Sequence, residues 1–191
     1  MPQRVGVMGG TFDPIHFGHL LAANEAAAQL QLDEVVFIPA GDPWQKSDRE
    51  LAPAHDRLAM VEKAISGNPL FSLSKIEVER TGPTYAVDTL TELNSPDNQV
   101  FFIMGADVFA KIDTWHQAEV VRELAHFIVC TRPGHQTEIV DPNATAIEIP
   151  QLDISSTMLR ERIAKNEPIR YLTPDSVVDY VSANNLYRNQ A

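Results

Sequence analysis

Sulfur is scarce in this chain. Of its 191 residues, Cys130 alone is a cysteine, so a disulfide within the chain is excluded. Cys130 lies in the apolar run Phe127–Cys130, a position typical of a buried thiol in a reducing compartment rather than of a nucleophile. We therefore expect a cytoplasmic protein.

Positive charge and long apolar runs are also lacking. Acidic residues outnumber basic ones, 26 against 15, which gives a formal net charge of −11 at pH 7. Binding to nucleic-acid backbones needs a basic surface, so no nucleic-acid partner is expected. No apolar segment approaches the roughly 20 residues that span a bilayer, and the N-terminal residues show no signal-peptide pattern, so no membrane partner is expected either.

Strand-like and helical segments alternate along the chain. Strands are predicted at Arg4–Met8, Glu34–Pro39, Leu70–Glu79 (one strand or two), Val100–Gly105, Phe127–Thr131 and Thr145–Ile149, and a polar loop at residues 40–53. Helices are predicted at Phe17–Leu30, Ala54–Ser66, Tyr85–Leu93, Ala118–Leu124, Ser156–Lys165 and Asp175–Ala183. This order predicts an α/β fold with a single doubly wound parallel sheet and C-terminal helices, in one domain over residues 1–191. Ligands of such sheets bind beyond the carboxyl ends of the strands, so we expect a site near Gly9 and Gly105.

The most informative segment is Gly9–His19, Gly-Gly-Thr-Phe-Asp-Pro-Ile-His-Phe-Gly-His, which follows a strand and opens an Ala-rich helix. Its two leading glycines let the backbone approach a ligand closely, and Pro14 suits the start of a helix. His16 and His19 are three residues apart, so they share one helix face near the N-terminus. Free N–H groups, the helix dipole and two imidazoles then meet at one place, which predicts a phosphate site.

The same segment resembles the first signature of the nucleotidyltransferase superfamily, whose His-x-Gly-His motif is here His16–His19. Residues Ile154–Arg160, Ile-Ser-Ser-Thr-Met-Leu-Arg, resemble the second signature. Further similarity to the bacterial nicotinate mononucleotide adenylyltransferases covers residues 55–65, Thr81–Leu90, Phe102–Trp115, Cys130–Gly134 and Leu172–Tyr187. The resemblance implies a Rossmann-like nucleotidyltransferase fold and an enzyme of NAD biosynthesis. Its expected substrates are ATP and nicotinate mononucleotide, and its expected products are nicotinate adenine dinucleotide and pyrophosphate.

Two alternatives stay open at this point. One is a related adenylyltransferase for another phosphate acceptor, such as nicotinamide mononucleotide or phosphopantetheine. The other is a module that binds a nucleotide without turnover. The complete pair of signatures argues against the module, because sensing does not require cations around an α-phosphate.

The reaction itself indicates which groups the protein must supply. A phosphate monoester is mostly ionised at pH 7, since its second pKa is about 6, so the nucleophile needs no general base. What remains is positioning and neutralisation of charge. On the resemblance, the expected catalytic residues are His16, His19 and Arg160. The expected ATP site comprises Gly9, Gly10, Thr11, Phe12, His16, Gly18, His19, Gly105, Asp107, Ile154, Ser155, Ser156 and Arg160, with Arg132 as a further triphosphate candidate.

A second group of residues is expected to bind nicotinate mononucleotide: Gly10, Lys46, Thr84, Tyr85, Ala86 and Trp115. The aromatic rings suit a flat pyridine, the backbone N–H groups around Thr84–Ala86 suit its carboxylate, and Lys46 suits the phosphate. The chain departs from the family twice. It reads Pro-Trp-Gln-Lys at Pro43–Lys46 where many members read Pro-Pro-His-Lys, and it has Ala86 where many have threonine.

Several points are left for the structure. No cluster of His, Cys, Asp and Glu has metal-ligand spacing, and Mg²⁺ is expected to arrive with ATP. Asp13 is expected to bond within its own loop at least as much as to a ligand. The sequence decides neither between a monomer and a homo-oligomer nor the protonation of His16 and His19, which ATP phosphates favour and the helix N-terminus opposes.

Overall fold

The computed structural model describes residues 2–42, 51–134, 139 and 141–188. It contains one six-stranded sheet in the order β3-β2-β1-β4-β5-β6, and each adjacent pair of strands is parallel. The strands are β1 (Gln3–Gly10), β2 (Glu34–Pro39), β3 (Phe71–Leu73), β4 (Asn98–Gly105), β5 (His126–Thr131) and β6 (Ala144–Glu148). The predicted parallel α/β sheet is therefore confirmed.

Helices cover both faces of the sheet, which makes it doubly wound as predicted. They are α1 (Phe17–Leu30), α2 (Ala54–Ile65), α3 (Ile76–Glu79), α4 (Ala86–Leu93), α5 (Ala106–Phe109), α6 (Ala118–Leu124), α7 (Ser156–Ala164) and α8 (Asp175–Ala183), with a 3₁₀ turn at Ile112–Thr114. One apolar core joins the sheet to α1, α2 and α8, and a second joins it to α4 and α6. Of the helices described, none is long and apolar enough to cross a membrane.

The segment Leu70–Glu79 holds one strand, which is the first of the two predicted alternatives. A single strand forms, but it ends at Leu73, and the second strand is absent because Ile76–Glu79 is one helical turn. The Ser74 hydroxyl accepts a hydrogen bond from the Ile76 N–H (3.3 Å), which turns the chain out of the sheet. The apolar pattern of this segment matched a strand, but the serine turn follows Leu73 and leads into a helical turn.

The turn before α1 leads into a helix that begins at Phe17, as predicted. Pro14 lies outside the helix, after a cis peptide bond, and His16 is the N-cap. Residues far along the chain hold this turn: Ser156 Oγ donates to the Pro14 carbonyl (2.9 Å) and Thr173 Oγ1 to the Ile15 carbonyl (2.8 Å). The fold thereby brings the second signature against the first.

Candidate functional site

A cavity of about 1120 Å³ opens at the carboxyl ends of the strands. The last residues of β1 and β4, Gly10 and Gly105, line it, so it lies where the strand order reverses between β1 and β4. The predicted site residues that line it are Gly9, Gly10, Thr11, Phe12, His16, Gly18, His19, Thr84, Tyr85, Ala86, Gly105, Asp107, Trp115, Arg132, Ile154, Ser155 and Ser156. Lys46 lies outside the described residues. The structure thus gathers most of both predicted groups, and their roles toward substrates stay predictions.

The two motif histidines form a stacked pair at the N-terminus of α1. Their ring centroids are 3.7 Å apart with an interplanar angle of 25°, and His19 Nδ1 accepts a hydrogen bond from the His16 N–H (3.3 Å). The edge of Phe12 packs against His19 at 5.1 Å between centroids. Gly18 permits this packing, because a Cβ there would stand 3.0 Å from two ring atoms of His16.

Burial decides the protonation of His16. The residue is 6% exposed, and desolvation lowers its pKa to about 4. Within the described part of the chain, its Nδ1 is buried and has no hydrogen-bond partner. In the ligand-free protein His16 is therefore neutral at pH 7 and offers a single N–H donor. An anionic phosphate at the site would raise its pKa.

The second signature opens α7 at the rim of the same cavity. Ser155 is the N-cap, and its Oγ accepts a hydrogen bond from the Met158 N–H (3.1 Å). The Ser156 hydroxyl is bonded to the Pro14 carbonyl. Both hydroxyls thus have protein partners, so what this segment offers an anion is the N-terminus of α7.

Arg160 is placed differently from the expectation. Its side chain is 11% exposed and is not among the described residues that line the cavity. Nη1 donates to the Asp13 carbonyl (2.7 Å), Nη2 donates to Thr157 Oγ1 (3.1 Å), and Nη1 lies 3.8 Å from the Asp13 carboxylate. The guanidinium therefore connects α7 to the first loop.

Asp13 bonds within the protein, as expected for this loop. Its side chain is buried, and Oδ1 accepts hydrogen bonds from the Ala52 N–H (3.2 Å) and the Tyr187 hydroxyl (2.8 Å). Burial and the neighbouring Asp13 carboxylate raise the pKa of Tyr187, so its hydroxyl stays a proton donor. Sequence reasoning missed Tyr187, since no local pattern marks a tyrosine that reaches back 174 residues.

Aromatic rings form a further wall of the cavity, the aromatic wall. Tyr85 and His116 lie 4.5 Å apart between ring centroids with an interplanar angle of 35°, and both line the cavity. Trp115 packs edge-on against Phe102, 5.7 Å between centroids, so it serves the core and the cavity at once. His116 was not predicted, and its place beside Trp115 was the only signal for it.

A half-buried carboxylate also lines the cavity. Glu77 accepts a hydrogen bond from Thr89 Oγ1 (2.7 Å), and burial raises the pKa of its carboxyl group. The prediction of one strand or two within Leu70–Glu79 gave no reason to expect a half-buried acid here. Among the residues that the model places, no group of three or more His, Cys, Asp or Glu could hold a metal ion.

The chain is similar to known proteins both in sequence and in fold. Residues 7–162 match the family model described as cytidylyltransferase-like. The chain is 53% identical over 188 residues to a probable nicotinate-nucleotide adenylyltransferase of Streptomyces coelicolor, covering 96% of this chain and 100% of the relative. It is 50% identical over 196 residues to a protein of the same description from Acidothermus cellulolyticus, covering 97% of this chain and 94% of the relative. The fold is similar to that of Plasmodium falciparum nicotinic acid mononucleotide adenylyltransferase complexed with NaAD, with a TM-score of 0.80, 23% identity and 97% of each chain covered.

Proposed function

Because the chain belongs to the cytidylyltransferase-like family, we propose that it transfers the adenylyl group of ATP to nicotinate mononucleotide. The products are nicotinate adenine dinucleotide and pyrophosphate, in NAD biosynthesis. The observation that carries this proposal is the convergence of two distant signatures, since the N-caps of α1 and α7, His16 and Ser155, line one cavity. Two helix N-termini at one place suit a triphosphate better than a single phosphate group.

The reaction requires the protein to align two anions and to stabilise the negative charge that develops on the leaving group. An oxygen of the acceptor's 5′-phosphate forms a bond to the α-phosphorus of ATP, while the bond from that phosphorus to the bridging oxygen of the β-phosphate breaks. Negative charge moves onto the departing pyrophosphate. His16 and His19 donate hydrogen bonds to the α- and β-phosphate oxygens, and the N-terminus of α7 binds the β- and γ-phosphates. Mg²⁺ enters as part of the MgATP substrate, held mainly by phosphates and water.

Arg160 serves this arrangement through its contact with the first loop. Its bond to the Asp13 carbonyl supports the backbone that carries Thr11 and Phe12. The signature implies, in addition, a direct bond from the guanidinium, which carries five N–H donors, to the triphosphate. Arg132 lines the cavity and is the more exposed cation, with 59% of its side chain accessible, so it is a direct candidate for the triphosphate.

The aromatic wall receives the pyridine nucleotide. Tyr85 and Trp115 offer ring faces and edges to the nicotinate ring, and the backbone N–H groups near Thr84–Ala86 serve its carboxylate. Gly105 ends β4 and Asp107 lies in the first turn of α5, directly after it, where a carboxylate suits a ribose hydroxyl. We expect Lys46 to hold the acceptor's phosphate, and we expect the reaction to take place in the cytoplasm.

An acceptor panel tests the proposal. Purified protein is incubated with MgATP and, separately, nicotinate mononucleotide, nicotinamide mononucleotide or phosphopantetheine, and pyrophosphate release is followed while mass spectrometry identifies the dinucleotide. The two mononucleotides differ only in a carboxylate against an amide, so they form a matched pair. We expect kcat/KM for the nicotinate substrate to exceed that for the amide by about tenfold or more. A higher value for another acceptor refutes the assignment, and ATP binding without release for any acceptor favours a non-catalytic module.

A further inference from the structure

Arg57 is a fully buried arginine for which the two signatures give no role. It lies in α2, is 1% exposed and is not among the described residues that line the cavity. Its guanidinium donates to four backbone carbonyls: Nε to Ala52 (3.0 Å), Nη1 to Thr11 (2.9 Å) and Ala40 (2.6 Å), and Nη2 to Gly41 (3.0 Å).

Of these four residues, Thr11 and Ala40 line the cavity, and Gly41 directly follows Ala40 in the chain. Thr11 is part of the loop proposed to carry the ATP phosphates. Gly41 is joined covalently to Asp42, and the Asp42 carbonyl accepts a hydrogen bond from the N–H of Thr84 (3.2 Å). Thr84 directly precedes Tyr85 of the aromatic wall. The guanidinium plane of Arg57 thus connects the loop that contains Thr11, here called the ATP wall, to the aromatic wall through a short chain of bonds.

We propose that Arg57 is a positioning residue that sets the alignment of the two substrates without touching either. This inference rests on the proposed function. Because transfer requires the acceptor oxygen in line with the α-phosphorus, the relative placement of the walls sets the rate once both substrates are bound. A misplacement of about 1 Å costs on the order of 100-fold in rate.

Only arginine has the shape for this task. Its planar fork presents five N–H donors in fixed directions, whereas lysine has three donors on one atom and cannot span carbonyls from separate segments. The buried Asp13 carboxylate lies near enough to offset part of the desolvation of the guanidinium. Asp13 itself is held by Ala52 and Tyr187, so the counter-charge is fixed to the same framework.

The proposal predicts a particular pattern of kinetic damage. In Arg57→Lys and Arg57→Gln each wall keeps its own substrate contacts, so each substrate binds alone nearly as in the wild type. The walls are no longer fixed to each other, so turnover falls. A purely structural residue would instead lower the amount of folded protein, with normal kcat in what remains.

Arg4 provides a matched control. It also donates to backbone, with Nε and Nη2 both bonded to the Leu30 carbonyl (3.2 and 3.0 Å), and Nη1 bonded to Gln99 Oε1 (3.1 Å). It lies in β1 at the amino ends of the strands, at the edge opposite the cavity. Arg4→Lys therefore removes a comparable arginine network without disturbing the walls.

The experiment measures kcat and both KM values, the separate dissociation constants of α,β-methylene-ATP and nicotinate mononucleotide, and urea unfolding. For Arg57→Lys we expect kcat to fall about tenfold or more with both dissociation constants within about threefold of wild type, and for Arg4→Lys kcat within about twofold. The inference about Arg57 is overturned if folded Arg57→Lys has a near-normal kcat, or if Arg4→Lys loses as much kcat as Arg57→Lys. Either result leaves the proposed function unaffected. A wild-type protein that forms no dinucleotide overturns the proposed function as well.

A measurement on the unmutated protein decides the matter if both Arg57 variants fail to fold. The methylene analogue alone, bound at the ATP wall, should slow hydrogen exchange at the Thr84 N–H by about threefold or more, because the Thr11 carbonyl is joined to that wall through Arg57. An unchanged exchange rate at saturating analogue overturns the inference.

Discussion

Lowering the pH from 7 to 5 should destabilise the ligand-free protein through His16. Burial holds the pKa of this ring at about 4 in the folded state, against 6.5 for an ordinary histidine. At pH 7 both the folded and the unfolded chain carry a neutral ring, so the group contributes almost nothing to pH dependence. At pH 5 the unfolded chain binds a proton and the folded protein does not, so stability falls between pH 6.5 and pH 4. The two pKa values give a loss of about 2 kcal/mol between pH 7 and pH 5.

Urea unfolding of wild type and His16→Gln at both pH values isolates this contribution. Other shifted groups, such as Glu77 and His126, titrate in both proteins, so their contributions cancel in the difference between the two pH dependences. We expect the wild type to lose about 2 kcal/mol more than the variant, with unchanged m values.

Two results would refute this reasoning. One is a difference in pH dependence below about 0.5 kcal/mol, which lies within the scatter of ordinary substitutions. The other is an NMR titration of the His16 ring in the folded protein with its midpoint near that of a free histidine. Saturating MgATP analogue offers a further check, since phosphate beside the ring should raise its pKa and shrink the pH dependence.

Three other substitutions give distinct expectations. His19→Ala should lower kcat by about 100-fold or more while weakening ATP binding less, because its hydrogen bond matters most in the transition state, and near-normal turnover would contradict that role. Trp115→Ala should raise KM for the nicotinate substrate and leave KM for ATP near normal, whereas equal effects on both would make the ring a core residue only. Tyr187→Phe removes the hydroxyl bond to buried Asp13 and should cost about 1–3 kcal/mol in urea unfolding. Tyr171→Phe, at a side chain that is largely exposed, serves as its control and should change stability by less than about 0.5 kcal/mol.

Local patterns in the sequence predicted the sheet and the parts of the site that depend on spacing. The alternation of strands and helices indicated a parallel sheet with helices on each face. His16 and His19 stack because residues three apart at a helix start must be neighbours. The assignment of the single domain and of substrate contacts to individual residues stays a prediction.

Elsewhere the local pattern misled. Leu70–Glu79 reads as strand, yet a serine turn ends β3 at Leu73 and makes the helical turn that carries Glu77. Arg160 carries the second signature, but whether its guanidinium enters the cavity depends on the loop it meets across 147 residues of chain. Neither outcome could be read from the neighbours in sequence.

The sequence by itself determined the parallel sheet, the position of the cavity at its carboxyl edge and the histidine pair, because these follow from periodicity and short-range spacing. Only the tertiary structure decided which polar side chains are buried and which groups they contact. Arg57 donates to four carbonyls, Tyr187 donates to Asp13, and burial keeps His16 neutral. The physical reason is that desolvation and hydrogen bonds between distant segments depend on which surfaces come into contact in the folded protein. Local sequence patterns do not specify those contacts.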